Sequence, residues 1–323
     1  MPKKNYFLML SLVILFLLTT VFCVSTFAAQ YPTKEVQILV GWKAGGSTDL
    51  LARMLAAEFE KQFGVRFLVI NKPGAGGSIV WNEISKSKPD GYTLAMTNIP
   101  DIYTIPLTIP NTTWSINDFE PIANVVSDPA LLAVSSDSPF KTLTEFIDYA
   151  KEHPYELNTT NDSYKGDYWL AIRKLERLAD IKITNVFFDG SAPVISALLG
   201  GHINSGMLNV SEVFPMVKAG KLRVLGILTE ERDKALPDVP TFKELGYEII
   251  LSNKRGIVGP KGLPLEIRDA LIDAVKKAVN SPDFIKKAEE TQMPISPIYG
   301  DDFKEMLNRE NALMKKDYEE EPW

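Results

Sequence analysis

The segment VQILVGWKAGGSTDLLARML, residues 36–55, contains the signals of a strand, a glycine loop and a helix in direct succession. Residues 36–40 are apolar enough to predict a buried strand, and Thr48 begins an amphipathic helix after the loop. Gly45 and Gly46 lack side chains, so a ligand can lie against the backbone there. The first N–H groups of a helix have no partners within it and lie at its positive end. The segment therefore predicts an anion-binding helix start.

The composition is that of a folded, soluble protein. The chain has 323 residues, of which 45% are apolar and 24% charged, and its net charge is −6. This length is enough for about two domains with buried cores, and the ordinary charge content argues against disorder. The negative net charge argues against non-specific binding of nucleic acid.

The amino terminus has the parts of a secretory signal. Lys3 and Lys4 precede an apolar run over residues 6–24, and small residues follow it. This pattern predicts that residues 1–28 are a signal peptide, cleaved near Ala28. The alternative is an uncleaved anchor, because the apolar run is long enough to span a bilayer. The same residues contain the only cysteine, so the mature chain is predicted to be extracytoplasmic and free of disulfides.

Strand and helix signals alternate along the rest of the chain, which predicts an α/β fold with a parallel sheet covered by helices. The predicted strands are residues 36–40, 65–70, 92–97, 122–126, 130–134, 157–160, 183–187, 203–208 and 222–228.

Three other segments carry specific local signals. The proline-rich residues 98–117 show no periodicity and predict a loop. Thr142 and Glu145 form a capping box that predicts the start of a helix. Residues 256–258 are a short apolar piece, and three helices are predicted after it.

Motifs of catalysis and of cofactor binding are missing from the sequence. His153 and His202 have no zinc-ligand spacing, and neither a Gly-x-Ser-x-Gly elbow nor a Gly-Lys-Ser/Thr phosphate loop occurs. The glycine loop at residues 74–77 lacks the third glycine of a dinucleotide fingerprint. The sequence therefore favours a binding protein without cofactor or metal. The alternative is an enzyme that uses Asp49 or Asp189 as a base.

Small residues stand where strands give way to helices at five places. These are residues 45–48, 74–78, 97–98, 159–166 and 190–192. A single glycine there usually meets a turn requirement. Five such loops in one chain predict a shared ligand site, since ligands bind at the carboxyl ends of the strands in open α/β sheets.

Several of these loops resemble motifs of one known family, the substrate-binding proteins of tripartite tricarboxylate transporters, also called the Bug family. The motifs follow the family's order and spacing over essentially the whole mature chain: GGSTD at 45–49, NKPGAGG at 71–77, KPDGYTL at 88–94, GSAP at 190–193, ALLGG at 197–201, KAGKLR at 218–223 and LPDVPT at 236–241.

The resemblance implies an α/β fold of the two-lobed periplasmic binding-protein type, a type II-like Venus flytrap with two hinge crossings. Lobe one would comprise residues 29–129 plus 254–323, and lobe two residues 130–253. It also implies a monomer that captures a small organic carboxylate in the periplasm. This ligand would be delivered to a membrane permease made of separate large and small subunits. A sensor that presents the ligand to a signalling kinase would have the same binding chemistry and stays an alternative.

Family position also implies which residues contact the ligand. They are Gly45, Gly46, Ser47, Thr48, Asp49, Ala75, Gly76, Gly77 and Asn98 from lobe one, and Thr160, Ser163, Tyr164, Lys165, Gly190, Ser191 and Ala192 from lobe two. Hydroxyls of Ser47, Thr48 and Ser191 would supplement backbone amides.

Four residues that depart from the family pattern, or could close the cleft, form a possible cleft wall: Trp42, Lys43, Trp169 and Asp189. Trp42 is either a lid on the cleft or a packed residue. Trp169 either forms an apolar wall, as Tyr164 could, or packs beneath its helix. Lys165 either adds a cation for a second carboxylate or pairs with a surface acid.

Overall fold

The computed structural model describes residues 31–161 and 166–320, and for Asn161 the backbone alone. Residues from Lys34 onward form one compact unit. The predicted signal peptide, residues 1–28, lies outside the described residues.

Strands and helices alternate through most of the described chain. The strands are β1 (Val36–Val40), β2 (Phe67–Asn71), β3 (Thr93–Ile99), β4 (Phe119–Ser135), β5 (Asn158–Asn161), β6 (Thr184–Phe187), β7 (Ser205–Asn209), β8 (Leu222–Ile227), β9 (Ser252–Pro260) and β10 (Ile295–Tyr299). The helices are α1 (Ser47–Phe63), α2 (Ser78–Ile84), α3 (Asp101–Thr108), α4 (Leu143–Glu152), α5 (Asp167–Ala179), α6 (Ser191–Leu199), α7 (Val210–Lys218), α8 (Leu265–Val279), α9 (Pro282–Thr291) and α10 (Gly300–Glu320).

The strands form two parallel groups joined by antiparallel ones. Strand β1 lies between β2 and β3 and is parallel to both, and β5 is likewise parallel to β6 and β7. Strands β9 and β4 stand between the groups and run antiparallel to their neighbours, in the order β2-β1-β3-β9-β4-β7-β5-β6. The prediction of parallel strands is therefore confirmed within each group, while the sheet as a whole contains both parallel and antiparallel pairs.

Strand β4 is one strand of 17 residues where the sequence predicted two. Residues 119–129 pair with β9, and residues 130–135 pair with β7 and β8. The strand continues between the two apolar runs because Ser127 and Pro129 still face partners on β9. β4 therefore passes from one parallel group to the other, and its partners change at the predicted hinge crossing.

The prediction of a loop over residues 98–117 is wrong, because this segment contains helix α3. Ile102, Tyr103 and Ile105 are fully buried, and α3 packs on β3 and α10. Burial of this face stabilises the helix although Pro106 within it lacks an N–H to donate. Tertiary packing overrides the local proline signal here.

The carboxyl-terminal third has more strand than predicted. The short piece at residues 256–258 is the centre of β9, which is nine residues long and pairs on both sides. Its polar first residues stay extended because β3 and β4 satisfy their backbone groups. Strand β10 was not predicted, since two of its five residues are exposed and its apolar pattern is weak.

Helix α1, which follows the first glycine loop, agrees with its prediction almost to the residue. Leu51, Leu55 and Phe59 are fully buried on one stripe, and Gly64 ends the helix in the left-handed conformation, with φ 72°. Within residues 31–161 and 166–320, no helix is both long and apolar enough to cross a bilayer.

Candidate functional site

The two glycine loops of the amino-terminal group lie backbone against backbone. A Cβ on Gly41 would stand 2.5 Å from the Cα of Gly77, so the contact between the two loops leaves no room for a side chain at Gly41. The Trp42 ring packs on Gly77 and contacts Trp81 edge to face, with ring centroids 5.7 Å apart. The first two predicted loops therefore form one continuous surface after β1 and β2.

The loop before α6 closes onto this surface. The Lys43 amide donates to the Asp189 carbonyl at 3.0 Å, and a Cβ on Gly46 would meet the Ser191 Oγ at 2.9 Å. A Cβ on Gly45 would lie 3.6 Å from the Cβ of Ala192. The structure thus brings together the predicted segments 45–46 and 190–192, which are about 145 residues apart.

Helices that begin at the predicted loops share an unusual start. The residues that precede α1, α2, α5 and α6 are Gly46, Gly77, Gly166 and Gly190. Glycine has no side chain with which to cap the first amides of a helix. Away from the site, Thr142 and Ser281 cap α4 and α9 with their hydroxyls. The starts of α1 and α6, each longer than two turns, therefore leave N–H groups for an anion to accept from. At the start of α5, the amides of Asp167 and Tyr168 already donate to the carboxylates of Asp101 and Asp167.

Asp49 supports the first loop. Its carboxylate accepts from the Gly45 amide at 3.0 Å, from Arg53 at 2.9 and 3.0 Å, and from Asn71 at 2.9 Å. Burial raises the pKa of Asp49, but the hydrogen bonds from Arg53, Gly45 and Asn71 outweigh it and lower the pKa below its ordinary value. A carboxylate with a lowered pKa is a poor general base. The geometry therefore assigns Asp49 to holding the loop and does not favour the enzyme alternative.

The hydroxyls of the next two residues have partners within the protein. Ser47 Oγ donates to Glu212 Oε1 at 2.6 Å, and Thr48 Oγ1 accepts from the Arg255 guanidinium at 3.2 Å. A hydroxyl has one hydrogen to donate. In this geometry, Ser47 can therefore offer an anion its backbone N–H but not its hydroxyl, whereas Thr48 can still donate.

Sequence reasoning missed a buried charged cluster beneath these two residues. Arg255 is 1% exposed; it donates to Asp128 at 3.1 Å and to the Asn209 side chain at 2.5 Å, and it lies 3.6 Å from Glu212. Asp128 also accepts from the Ser211 amide and hydroxyl. The available signal was an acid between two apolar runs and an arginine directly before a third, because charges buried beside such runs need partners.

Burial perturbs the acidity of Asp128 in this cluster. Complete burial, opposed by Arg255 and Ser211 and reinforced by Glu212, raises the pKa of Asp128 to about 6. A carboxyl whose pKa is higher in the folded state stabilises the fold most when it is protonated.

We expect Asp128→Asn to remove the fall in folding stability that the titration of Asp128 causes between about pH 4 and 6. In the wild type, the contribution of Asp128 is fully present below about pH 4 and is lost as the pH rises through about 6. The loss amounts to about 3 kcal/mol, at 1.36 kcal/mol per pKa unit. Urea unfolding of both proteins between pH 4 and 7.5 measures it, since other carboxyls titrate equally in both. Parallel stability curves would contradict the assignment.

Several buried polar side-chain atoms at the predicted site have no hydrogen-bond partner within the described part of the chain. They are Trp42 Nε1, Ser78 Oγ, Asn98 Oδ1, Thr159 Oγ1 and Thr160 Oγ1. A buried polar group without a partner costs about 1–3 kcal/mol. All five stand on the predicted loops or at the strand ends that lead into them, so a polar ligand held by these loops could supply their partners.

The remaining predicted contacts occupy varied positions. Asn98 is buried, and its amide donates to Asp101, which also accepts from the Asp167 amide at the start of α5. This connects the end of β3 to the loop after β5. Ala75 is exposed, while Gly76 is buried beside it in a turn with φ 61°. Ser163, Tyr164 and Lys165 lie outside the described residues.

The four possible wall residues differ in burial. Trp42 is 3% exposed and packs on Gly77 and Trp81. Lys43 and Asp189 are half exposed, and their charged atoms are 3.9 Å apart at the rim. Trp169 is only partly buried, and the Arg173 guanidinium lies 6.0 Å from its ring centre. Among the described residues, no cluster of His, Cys, Asp or Glu could hold a metal ion.

This chain is similar to a known protein family and to several solved structures. The model of the tripartite tricarboxylate transporter family receptor matches residues 51–316. A protein of Cupriavidus necator, from the gbd 5' region, is 33% identical over 90% of this chain and 89% of its own. The periplasmic binding protein BugD is 24% identical, has a TM-score of 0.85, and the match covers 90% of this chain and 98% of BugD. This likeness confirms the α/β fold of a two-lobed periplasmic binding protein.

Two similar structures contain ligands. A Rhodopseudomonas palustris protein solved with adipate is 27% identical with a TM-score of 0.83, and the match covers 90% of this chain and 97% of the other. MatC from the same organism, solved with bound malate, is 26% identical with a TM-score of 0.83, over 88% of this chain and 99% of MatC.

Proposed function

The chain belongs to the tripartite tricarboxylate transporter receptor family, and from this premise we propose that it is a periplasmic solute-binding protein for a small organic carboxylate. It captures the ligand between two lobes and delivers it to the large and small permease subunits of a tripartite transporter. The lobes comprise residues 29–129 plus 254–323 and residues 130–253. The protein acts as a monomer after loss of residues 1–28, without cofactor or catalysis.

The observation that carries the proposal is the convergence of uncapped helix starts. Helices α1 and α6 begin directly after Gly46 and Gly190, and the loops before them are in contact. An anion between them accepts from N–H groups of both helices and sits at two positive helix ends. Hydrogen bonds to a charged group contribute about 1.5–3 kcal/mol each. Four to six of them, less the loss of ligand freedom, are compatible with about −8 kcal/mol, a micromolar affinity.

A dicarboxylate is the ligand class that the comparisons favour. Adipate and malate, found in the two similar structures, each carry two carboxylates. In this chain, the starts of α1 and α6 suit one carboxylate. Asn98, Thr159 and Thr160 offer buried polar atoms for the rest of the ligand.

We expect one-to-one binding with a micromolar dissociation constant for at least one dicarboxylate. The protein, expressed with its own amino terminus, is stripped of ligand by unfolding and refolding and then titrated calorimetrically with malate, succinate, adipate, citrate, aspartate and benzoate. The diamides of malate, succinate and adipate serve as uncharged controls and should not bind. Absence of saturable binding across the acids would overturn the proposal, and conversion of a bound acid on long incubation would favour an enzyme instead.

A further inference from the structure

The Ser47–Glu212 contact joins the ligand loop to a segment far away in the sequence. Ser47 is the first residue of α1, directly after Gly45 and Gly46, and Glu212 lies in the first turn of α7. Their side chains meet at 2.6 Å; Ser47 is buried, and the Glu212 side chain is 3% exposed. Because Ser47 belongs to the proposed lobe one and Glu212 to lobe two, this bond crosses between the lobes.

Glu212 performs two tasks with its two oxygens. Oε2 accepts from the Asn209 amide at 2.8 Å and so completes the cap of α7, while Oε1 accepts from Ser47. The carboxylate thus lies at the amino-terminal ends of both α7 and α1, where helix dipoles favour a negative charge. The protein itself therefore supplies an anion, the Glu212 carboxylate, to a helix start like those that are proposed to bind the ligand.

Arg255 fixes this carboxylate in place. Its guanidinium lies 3.6 Å from Glu212, donates to Thr48 beside Ser47, and donates to Asp128 on β4. One buried cation therefore contacts Glu212 at one end of this bond and Thr48, the neighbour of Ser47, at the other. Charge-assisted hydrogen bonds in a buried setting are the strong ones, so this bond holds the two segments more firmly than a surface contact would.

We propose that Glu212 is a positioning residue that holds the ligand loop closed through Ser47 and thereby sets the lifetime of the bound complex. The inference rests on the proposed function, since a lifetime requires a ligand. The Ser47–Glu212 bond forms as the loops meet and breaks before the ligand can leave. It slows dissociation without contacting the ligand and has little influence on the encounter, which takes place with the loops apart.

The proposal is tested by stopped-flow kinetics of ligand release and capture with Ser47→Ala, Glu212→Gln and the double variant. Ser47→Ala is expected to raise the dissociation rate about ten-fold, as for loss of one hydrogen bond to a charged group, with an association rate within about two-fold of wild type. The double variant should release ligand no faster than the faster single variant, because Ser47→Ala removes the same bond that Glu212→Gln weakens by taking away its charge.

Thr142→Ala is the matched control. It removes a hydroxyl that caps α4, remote from the ligand loops, and should lower stability without changing either rate constant. Unchanged dissociation in Ser47→Ala, with wild-type binding intact, would overturn the proposal. Multiplication of the two single effects in the double variant would also overturn it, since Ser47 would then act on the ligand independently. If the wild type itself binds no acid, the proposed function fails instead.

Discussion

Arg255→Met is expected to lower the free energy of unfolding by about 3–5 kcal/mol, the typical loss when one partner of a buried ion pair is removed. Methionine fills much of the space of the arginine stem but leaves Asp128 and Glu212 buried without their cation. Urea unfolding at pH 7.5, followed by circular dichroism and by tryptophan fluorescence, measures the change.

Two controls distinguish lost charge pairing from lost packing. Arg66→Met removes an arginine that is 73% exposed and 3.9 Å from Glu35, so its effect should stay within about 0.5 kcal/mol. Adding Asp128→Asn and Glu212→Gln to Arg255→Met removes the stranded charges and should restore part of the loss. A loss below about 1 kcal/mol for Arg255→Met, or no recovery in the triple variant, would contradict the role given to Arg255.

Gly46→Val is expected to weaken ligand binding roughly 100-fold while leaving the fold intact. The backbone φ of Gly46 is −83°, which any residue adopts, so the loop itself accepts a side chain. A Cβ there would nevertheless stand 2.9 Å from Ser191 Oγ, and the valine methyl groups would fill the space that the loop before α6 occupies. Forcing packed surfaces apart in this way costs about 2–3 kcal/mol, which corresponds to about two orders of magnitude in affinity.

Calorimetric titration with the acid that binds the wild type measures this loss. Ala44→Val is the matched control, because Ala44 is an exposed residue of the same loop. It should bind within about three-fold of the wild type. A melting temperature near that of the wild type for Gly46→Val shows that folding is preserved. Affinity within three-fold of the wild type in that folded variant would refute closure of these loops around the ligand.

The elements that were predicted correctly are those whose signals are local. Strand β1 and helix α1 lie almost where expected, because apolar spacing and the stop at Gly64 act within a few residues. The capping box at Thr142 forms as expected for the same reason. Helix α3 and the full length of β9 were missed, since neighbouring elements rather than their own sequences stabilise them.

The candidate site divides in the same way. Glycine at the starts of α1 and α6 is visible in the sequence, and family motifs add the order of the loops. The partners of Ser47 and Thr48 are not visible, because Glu212 and Arg255 follow them by 165 and 207 residues. The Ser47 hydroxyl, which was expected to donate to the ligand, therefore donates to Glu212 instead.

By itself, the sequence determined that several uncapped helix starts follow strands, because glycine and helix periodicity are properties of neighbouring residues. Only the tertiary structure decided which starts meet and which charged groups are buried beneath them. Thr48, Asp128 and Arg255 come together only when β4 and β9 pair between the two parallel groups. Pairing between strands so far apart in the sequence depends on the whole chain, and the hydrophobic periodicity of a single segment does not reveal it.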